Sequence, residues 1–143
     1  MKKVALVGGG MTKFGKREAT YEDLISEAGK ATFDSVANVS PGDIDALLVS
    51  SSMPERFAFQ THVATLVADC LGLEPKLLAR VEQLCSSGSV AIRLAYSAIA
   101  AGLANMALVL GVEKMILPDM TESLLHMVTA MSGWDRAHGI TAP

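Results

Sequence analysis

The chain has 143 residues, room for one hydrophobic core and too few for two. Half of them are hydrophobic, 19% are charged and the formal net charge is -3, which excludes a disordered tail and leaves no basic footprint for nucleic acid. Aromatics make up only 5% while alanine, leucine, valine and glycine abound, the mix expected of helices packed closely on a parallel sheet, so the class is α/β.

The opening MKKVALVGGGM places two lysines before a short apolar run, but three glycines close the run and no small-residue cleavage site follows, so it is not read as a signal peptide. Val4 to Val7 is instead expected to be a strand buried on both faces and ended by a tight turn at Gly8, Gly9 and Gly10. Thr20 with Asp23 three residues on fits a capping box, and apolar residues at helical spacing predict a helix over 20–37 until Ser40, Pro41 and Gly42 stop it. Ile44 to Ser50 is a second buried strand, and Gln60 to Leu71, ended by Gly72, a second helix. Leu77 to Leu84 is read as a third strand. Ser87 to Ala101 is then a helix with so little polar surface that layers are expected on both sides of it. Gly102 ends it, and Met106 to Val112 is a fourth strand, which makes the order βαβαβαβ. The tract 90–112 is the most apolar, but Arg93, Tyr96, Ser97 and Asn105 interrupt it, short of the roughly 20 unbroken apolar residues of a membrane span. Beyond Pro118, Glu122 to Met131 fits an amphipathic helix with Leu124, Leu125, Val128 and Met131 on one stripe, and the rest has no periodic pattern. A last element that would close the sheet is missing, so the chain reads as a piece of a longer protein, with 1–117 an incomplete domain and 118–143 a separate region.

Two loops could carry chemistry. Gly10 to Lys16 places its glycines and lysine as a phosphate-binding P-loop does, which keeps a nucleotide-binding α/β module as an alternative. Its eighth position, however, is Arg17 where a magnesium-binding Ser or Thr is required, and the helix cap lies further on at Thr20. The second loop is Glu82 to Ala91, where Cys85 stands at the junction of a strand and an apolar helix. Helix N-termini stabilise thiolates, and Ser86, Ser87 and Gly88 leave space for a substrate, which is the setting of a nucleophile. The other reading of Cys85, a small buried hydrophobe, stands beside it, and for Cys70, inside a helical pattern, it is the natural one. Two cysteines are too few for a disulfide framework and have no partners at zinc-ligand spacing, so reduced thiols in a cytoplasmic protein are expected, with no membrane and no metal. His62, His126 and His138 are scattered.

VALVGGGMTKFGK, QLCSSGSVAIRLAYSAIAAG and MALVLGVEKM resemble, in that order, the first strand and turn, the active-site cysteine segment and a strand with its Gly-x-Glu-x-Met turn in the thiolases. The similarity is to the branch that includes archaeal acetyl-CoA acetyltransferases and the sterol-carrier-protein-type thiolase domain, and it spans nearly the whole chain. It implies a layered fold of two similar βαβαβαββ domains, of which this chain would hold the N-terminal one without its last strand and, over 118–143, the start of an inserted loop region. It also implies that Cys85 attacks an acyl-CoA thioester and that acetyl-CoA intercepts the acyl-cysteine in a Claisen condensation, or CoA in the reverse thiolysis. CoA and acyl-CoA would be substrates and no cofactor is called for. Met115 and His138, the latter in a Gly-x-Thr-Ala surrounding one step out of phase, are the substrate-binding residues it suggests. A homodimer or tetramer with its contact along Val81 to Leu84, and an OB-fold partner protein, complete the implication. A thiolase-fold protein without catalysis, acting through interactions, is the remaining alternative. The chain by itself is expected to be inactive, since the activating histidine and the second acid/base residue have no counterpart in it.

Overall fold

The computed structural model describes residues 3–116, 119–128, 137 and 139. Three parallel strands, β1 (Ala46–Ser50), β2 (Leu77–Val81) and β3 (Ala107–Gly111), form a sheet in the order β2-β1-β3, with Ala46 in register with both Leu77 and Ala107. The connections are helical, as parallel neighbours require. The described helices are α1 (Tyr21–Asp34), α2 (Pro54–Phe57), α3 (Val63–Leu71), α4 (Ser87–Ala100) and α5 (Met120–Val128), with short 3₁₀ turns at Pro41–Asp43 and Leu84–Ser86.

The alternation of side chains along β1 divides the core in two. Leu47 and Val49 point into a cluster with Ile25 of α1 and Val63 and Val67 of α3, all five inaccessible to solvent. Ala46 and Leu48 point the other way, against Ala91 and Ala95 of α4. The bulky cluster closes one face, and a stripe of alanines lets α4 lie close on the other.

Local signals explain most of the boundaries. The capping box at α1 is formed as expected, with Asp23 N donating to Thr20 Oγ1 at 3.0 Å and Thr20 N to Asp23 Oδ2 at 2.8 Å. Gly72, at φ 61°, ends α3, and Leu73 N donates back to Ala68 O at 2.9 Å. Where α1 crosses α3, Gly29 has Leu71 against it so closely that a Cβ would sit 2.3 Å from Leu71 Cδ2. At the sheet's entry, Asp45 accepts from Asn105 N at 2.8 Å and Met106 N at 3.3 Å, tying the start of β1 to the start of β3.

Several expectations are corrected. Val4 to Val7 is not a strand: the segment runs as coil with Leu6 97% exposed, so the described sheet has three strands where four were expected. An apolar run becomes a strand only where a ladder takes up its backbone groups, and the contact held by this stretch is Gly9 N to Ser35 Oγ at 2.9 Å. Among the described residues helix α4 is covered on one side. Ala91, Ala95 and Ala98 face inward, while Ile92 is 62% exposed and Leu94 and Tyr96 are also in contact with solvent. The third strand stops at Val81, because Leu84 to Ser86 form a turn of 3₁₀-helix. Around α5 the expected stripe of Leu124, Leu125 and Val128 is exposed, and the helix meets α2 through His126, whose ring stands edge-on to Phe57 at 5.6 Å. Residues 129–131 of that expected helix, and His138, lie outside the described residues. None of the described helices is long and apolar enough to cross a membrane.

Candidate active site

The carboxyl ends of the three strands converge, as in other open parallel sheets where such ends carry the ligand crevice. Beyond β1 the chain continues as Ser51, Ser52 and Met53; beyond β2 come Glu82 to Ser86; beyond β3 come Val112 to Met115. Cys85 sits in the 3₁₀ turn just before α4 and is exposed, so the reading of it as a buried small hydrophobe does not hold. No side-chain hydrogen bond from Ser86 caps α4, and the positive end of the helix dipole favours an anion beside it. Cys70 is the opposite case: half-buried against the bulky cluster, its thiol is pushed up by burial.

The turn that holds Cys85 is fixed from within and from outside. Ser87 Oγ accepts from Gln83 N at 2.7 Å and donates to Leu84 O at 2.7 Å, and Ser86 Oγ donates to Gln83 O at 2.9 Å. Leu84, next to the cysteine, has φ 46°, a region that a leucine seldom occupies. From outside, Ser52 Oγ donates to the same Leu84 O at 3.1 Å.

Residues 51–53 are gripped in turn by two charged groups. Glu113, just past β3, accepts through Oε2 from Ser52 N at 2.6 Å and Met53 N at 3.2 Å. Arg80 of β2 donates from Nε to Ser51 O at 3.0 Å and from Nη2 to Ser52 O at 2.9 Å, and pairs with Glu55, whose carboxyl it holds below the usual range. Below them Tyr21 donates to Val112 O at 3.2 Å and shares a hydrogen bond with Ser51 Oγ at 3.0 Å. Burial pushes that phenol up to about 12, so it remains a neutral hydrogen-bonding post at any ordinary pH.

A cavity of about 1130 Å³ opens beside this arrangement, lined by Cys85, Gly88, Glu113 and Met115 and by the coil around Met11 and Phe14. Of the three residues singled out in the sequence, Cys85 and Met115 thus share one cavity, and His138 lies outside the described residues. Among the described lining residues there is no histidine. Ser52, Arg80 and Tyr21 were not foreseen, and Glu113 was noticed only as the middle of a turn motif; a polar run such as Ser50-Ser51-Ser52 at the end of an apolar strand is the signal that marks such an edge. The Gly10 to Lys16 loop stays in coil through to the cap at Thr20, without the strand before it or the helix after it that a P-loop needs, and Arg17 is engaged by Glu27 at 2.7 Å. No cluster of His, Cys, Asp and Glu able to hold a metal ion occurs among the described residues.

The family described as thiolase, N-terminal domain, matches residues 4–143. Over its whole length the chain is 35% identical to the acetyl-CoA acetyltransferase of Methanothermobacter thermautotrophicus, of which it covers 37%, and 37% identical to that of Methanocaldococcus jannaschii, of which it covers 36%. Among solved structures it is similar to a tetronic acid condensing enzyme, with a TM-score of 0.57 and 32% identity, over 66% of this chain and 30% of that one. The chain therefore spans little more than a third of the length of these curated relatives.

Proposed function

The chain belongs to the thiolase family, and from that premise we propose that the protein is an acyl-CoA C-acyltransferase of the acetoacetyl-CoA thiolase type, with Cys85 as its nucleophile. The observation that carries the reading is the exposed thiol on a braced turn, between a cavity and the start of a helix. In the first step a base takes the proton of the Cys85 thiol, the sulfur adds to the carbonyl of an acyl-CoA thioester, the carbon–sulfur bond to CoA breaks, and that proton passes to the departing sulfur so that CoA leaves as the thiol. In the second, an acetyl-CoA that has given up a proton from its methyl carbon attacks the acyl-cysteine, a carbon–carbon bond forms and Cys85 is released. Thiolysis runs the same steps backwards. The turn sets the sulfur where an incoming carbonyl can meet it, and positioning of this kind is a large share of what an enzyme contributes.

Met115, on the same cavity, is assigned a contact with the acyl portion. The base for Cys85 and the acid/base group for the acetyl carbon are assigned to the part of the protein that corresponds to the remainder of the longer relatives; within this chain 118–143 is assigned as the beginning of the inserted loop region, with a substrate contact from His138. The 143-residue chain alone is then expected to show no turnover, since acid/base catalysis contributes on the order of 10² to 10⁴ in rate. β2 is an edge strand of the described sheet, which supports assembly of a homodimer or tetramer along Val81 to Leu84. The free cysteines suit a cytoplasmic protein.

Incubation of the full-length protein with acetyl-CoA labelled in the acetyl group, followed by acid quench and peptide mapping, should place one label on the peptide containing Cys85 and none on that containing Cys70. Label that persists in Cys85→Ala would overturn the assignment.

A further inference from the structure

The cysteine turn, which follows β2, is supported by a side chain that follows β3, two strands across the sheet. Leu84 holds a left-handed backbone conformation, at φ 46°, immediately before Cys85. Such a conformation persists in a leucine only where its surroundings over-determine it. Three side chains do so: Glu82 Oε1 accepts from Leu84 N at 2.7 Å, and two hydroxyls, Ser87 Oγ from within the turn and Ser52 Oγ from the β1 exit, donate to Leu84 O. Ser52 is in turn fixed on both sides of its Cα: its N–H donates to Glu113 Oε2 at 2.6 Å and its carbonyl accepts from Arg80 Nη2 at 2.9 Å. The other carboxylate oxygen, Oε1, is buried without a hydrogen-bond partner among the described residues, so Oε2 alone orients the group.

We propose that Glu113 and Ser52 are positioning residues for Cys85, acting in series: Glu113 fixes the backbone of Ser52, and the Ser52 hydroxyl holds Leu84 in the conformation that presents the thiol at the start of α4. The proposal rests on the acyl-transfer reading for its catalytic consequence, but the placement of the thiol can be measured without it. Neither residue exchanges a proton with substrate. Each acts through the turn, and loss of either lets Leu84 relax to an ordinary backbone conformation and carries the sulfur away from the helix end.

Ser52→Ala separates positioning from folding, because it deletes one half-exposed hydroxyl and leaves the N–H that Glu113 accepts from. In the full-length protein, the rate of iodoacetamide modification at Cys85, followed by peptide mapping at fixed pH, should fall about tenfold in Ser52→Ala and in Glu113→Gln, and acetyl transfer should lose kcat about tenfold or more while KM moves less than about twofold. Ser52→Thr, which keeps the hydroxyl, should recover both rates to within about threefold of the unaltered protein. Since the two residues act on one route, the double variant Ser52→Ala with Glu113→Gln should modify no more slowly than the slower single one. Wild-type modification and turnover in Ser52→Ala, or effects that multiply fully in the double variant, would overturn the proposal. If the unaltered protein takes up no acetyl label, the acyltransferase reading fails, and the modification rates of the same variants still decide the relay.

Discussion

The two ends of the sheet use the same device for different purposes. At the entry a carboxylate from the residue before β1, Asp45, accepts two backbone N–H groups at the start of β3, Asn105 and Met106. At the exit a carboxylate from beyond β3, Glu113, accepts two backbone N–H groups beyond β1, Ser52 and Met53. Each satisfies backbone donors that a short parallel sheet leaves without a ladder partner at its ends. The entry carboxylate reaches only Lys76 besides, at 3.8 Å among the described residues, whereas the exit bond continues through Ser52 Oγ to Leu84 O and so to the residue beside Cys85. One end of the sheet is fastened; the other is fastened and aimed. What distinguishes them is the helix that begins at the exit: α4 lies close on an alanine-lined face and delivers its N-terminus to that edge.

The harshest test of this contrast removes packing common to both ends. Ile25→Ala empties a site with no solvent access in the bulky cluster, and a truncation of that kind costs about 2–5 kcal/mol. The loss should be measured by denaturant unfolding, and in buffer without denaturant the folded fraction should still modify Cys85 with iodoacetamide within about twofold of the normal rate, because distant sites act independently. A slowing comparable to that expected of Ser52→Ala would mean that the site takes its geometry from the general core and not from the exit network. A smaller loss of stability with a larger local effect is expected from Ala91→Leu. Ala91 is fully buried between α4 and the sheet, so the added bulk costs about 1–3 kcal/mol and lifts the helix from β1. Cys85 modification should then slow although no residue of its turn has been touched. If it does not, the seat of α4 is not what presents the thiol.

How much of this was legible beforehand depends on the range of the interaction concerned. The α1 capping box, the glycine stop after α3 and the starts of three of the four expected strands are written in residues within a few positions of one another, and they formed close to where their spacing predicts, although the strand from Leu77 stops short at Val81. The placement of Cys85 in a small-residue turn ahead of a helix was legible for the same reason, but its role was not, since the residues alone fit a small buried hydrophobe as well. Val4 to Val7 carries an equally good strand pattern but depends on a partner edge that no local pattern encodes, and it runs as coil. The far side of α4 reads as core because the helix is apolar all round, although only its alanines are covered. Ser52, Arg80 and Glu113 were hidden for a related reason: they lie 28 to 61 positions apart in the hydrogen bonds that join them, and each alone has the look of a strand-end polar residue.

The smallest expected effect isolates the entry end. Donation from Asn105 N and Met106 N, with a lesser contribution from Lys76 at 3.8 Å, holds the Asp45 carboxyl below the ordinary aspartate range. A carboxyl depressed in the folded state adds stability that is present above its unfolded value, about 4, and is lost as pH falls through the folded one. Asp45→Asn keeps an acceptor oxygen and abolishes the titration. At neutral pH the variant should therefore be slightly the less stable of the two, and the difference should shrink as pH is lowered below about 4, where the unaltered aspartate is progressively protonated. Urea midpoints at several pH values between neutral and strongly acid would measure it. Lys76 is largely exposed, so added salt should change the difference little if the amide hydrogen bonds are its source. Cys85 modification should be unchanged throughout, because nothing connects the Asp45 carboxylate to the exit except the strands themselves. A pH-independent difference would show that the charge on Asp45 does not fasten the entry, and a slowed Cys85 would show that the two ends of the sheet are not independent.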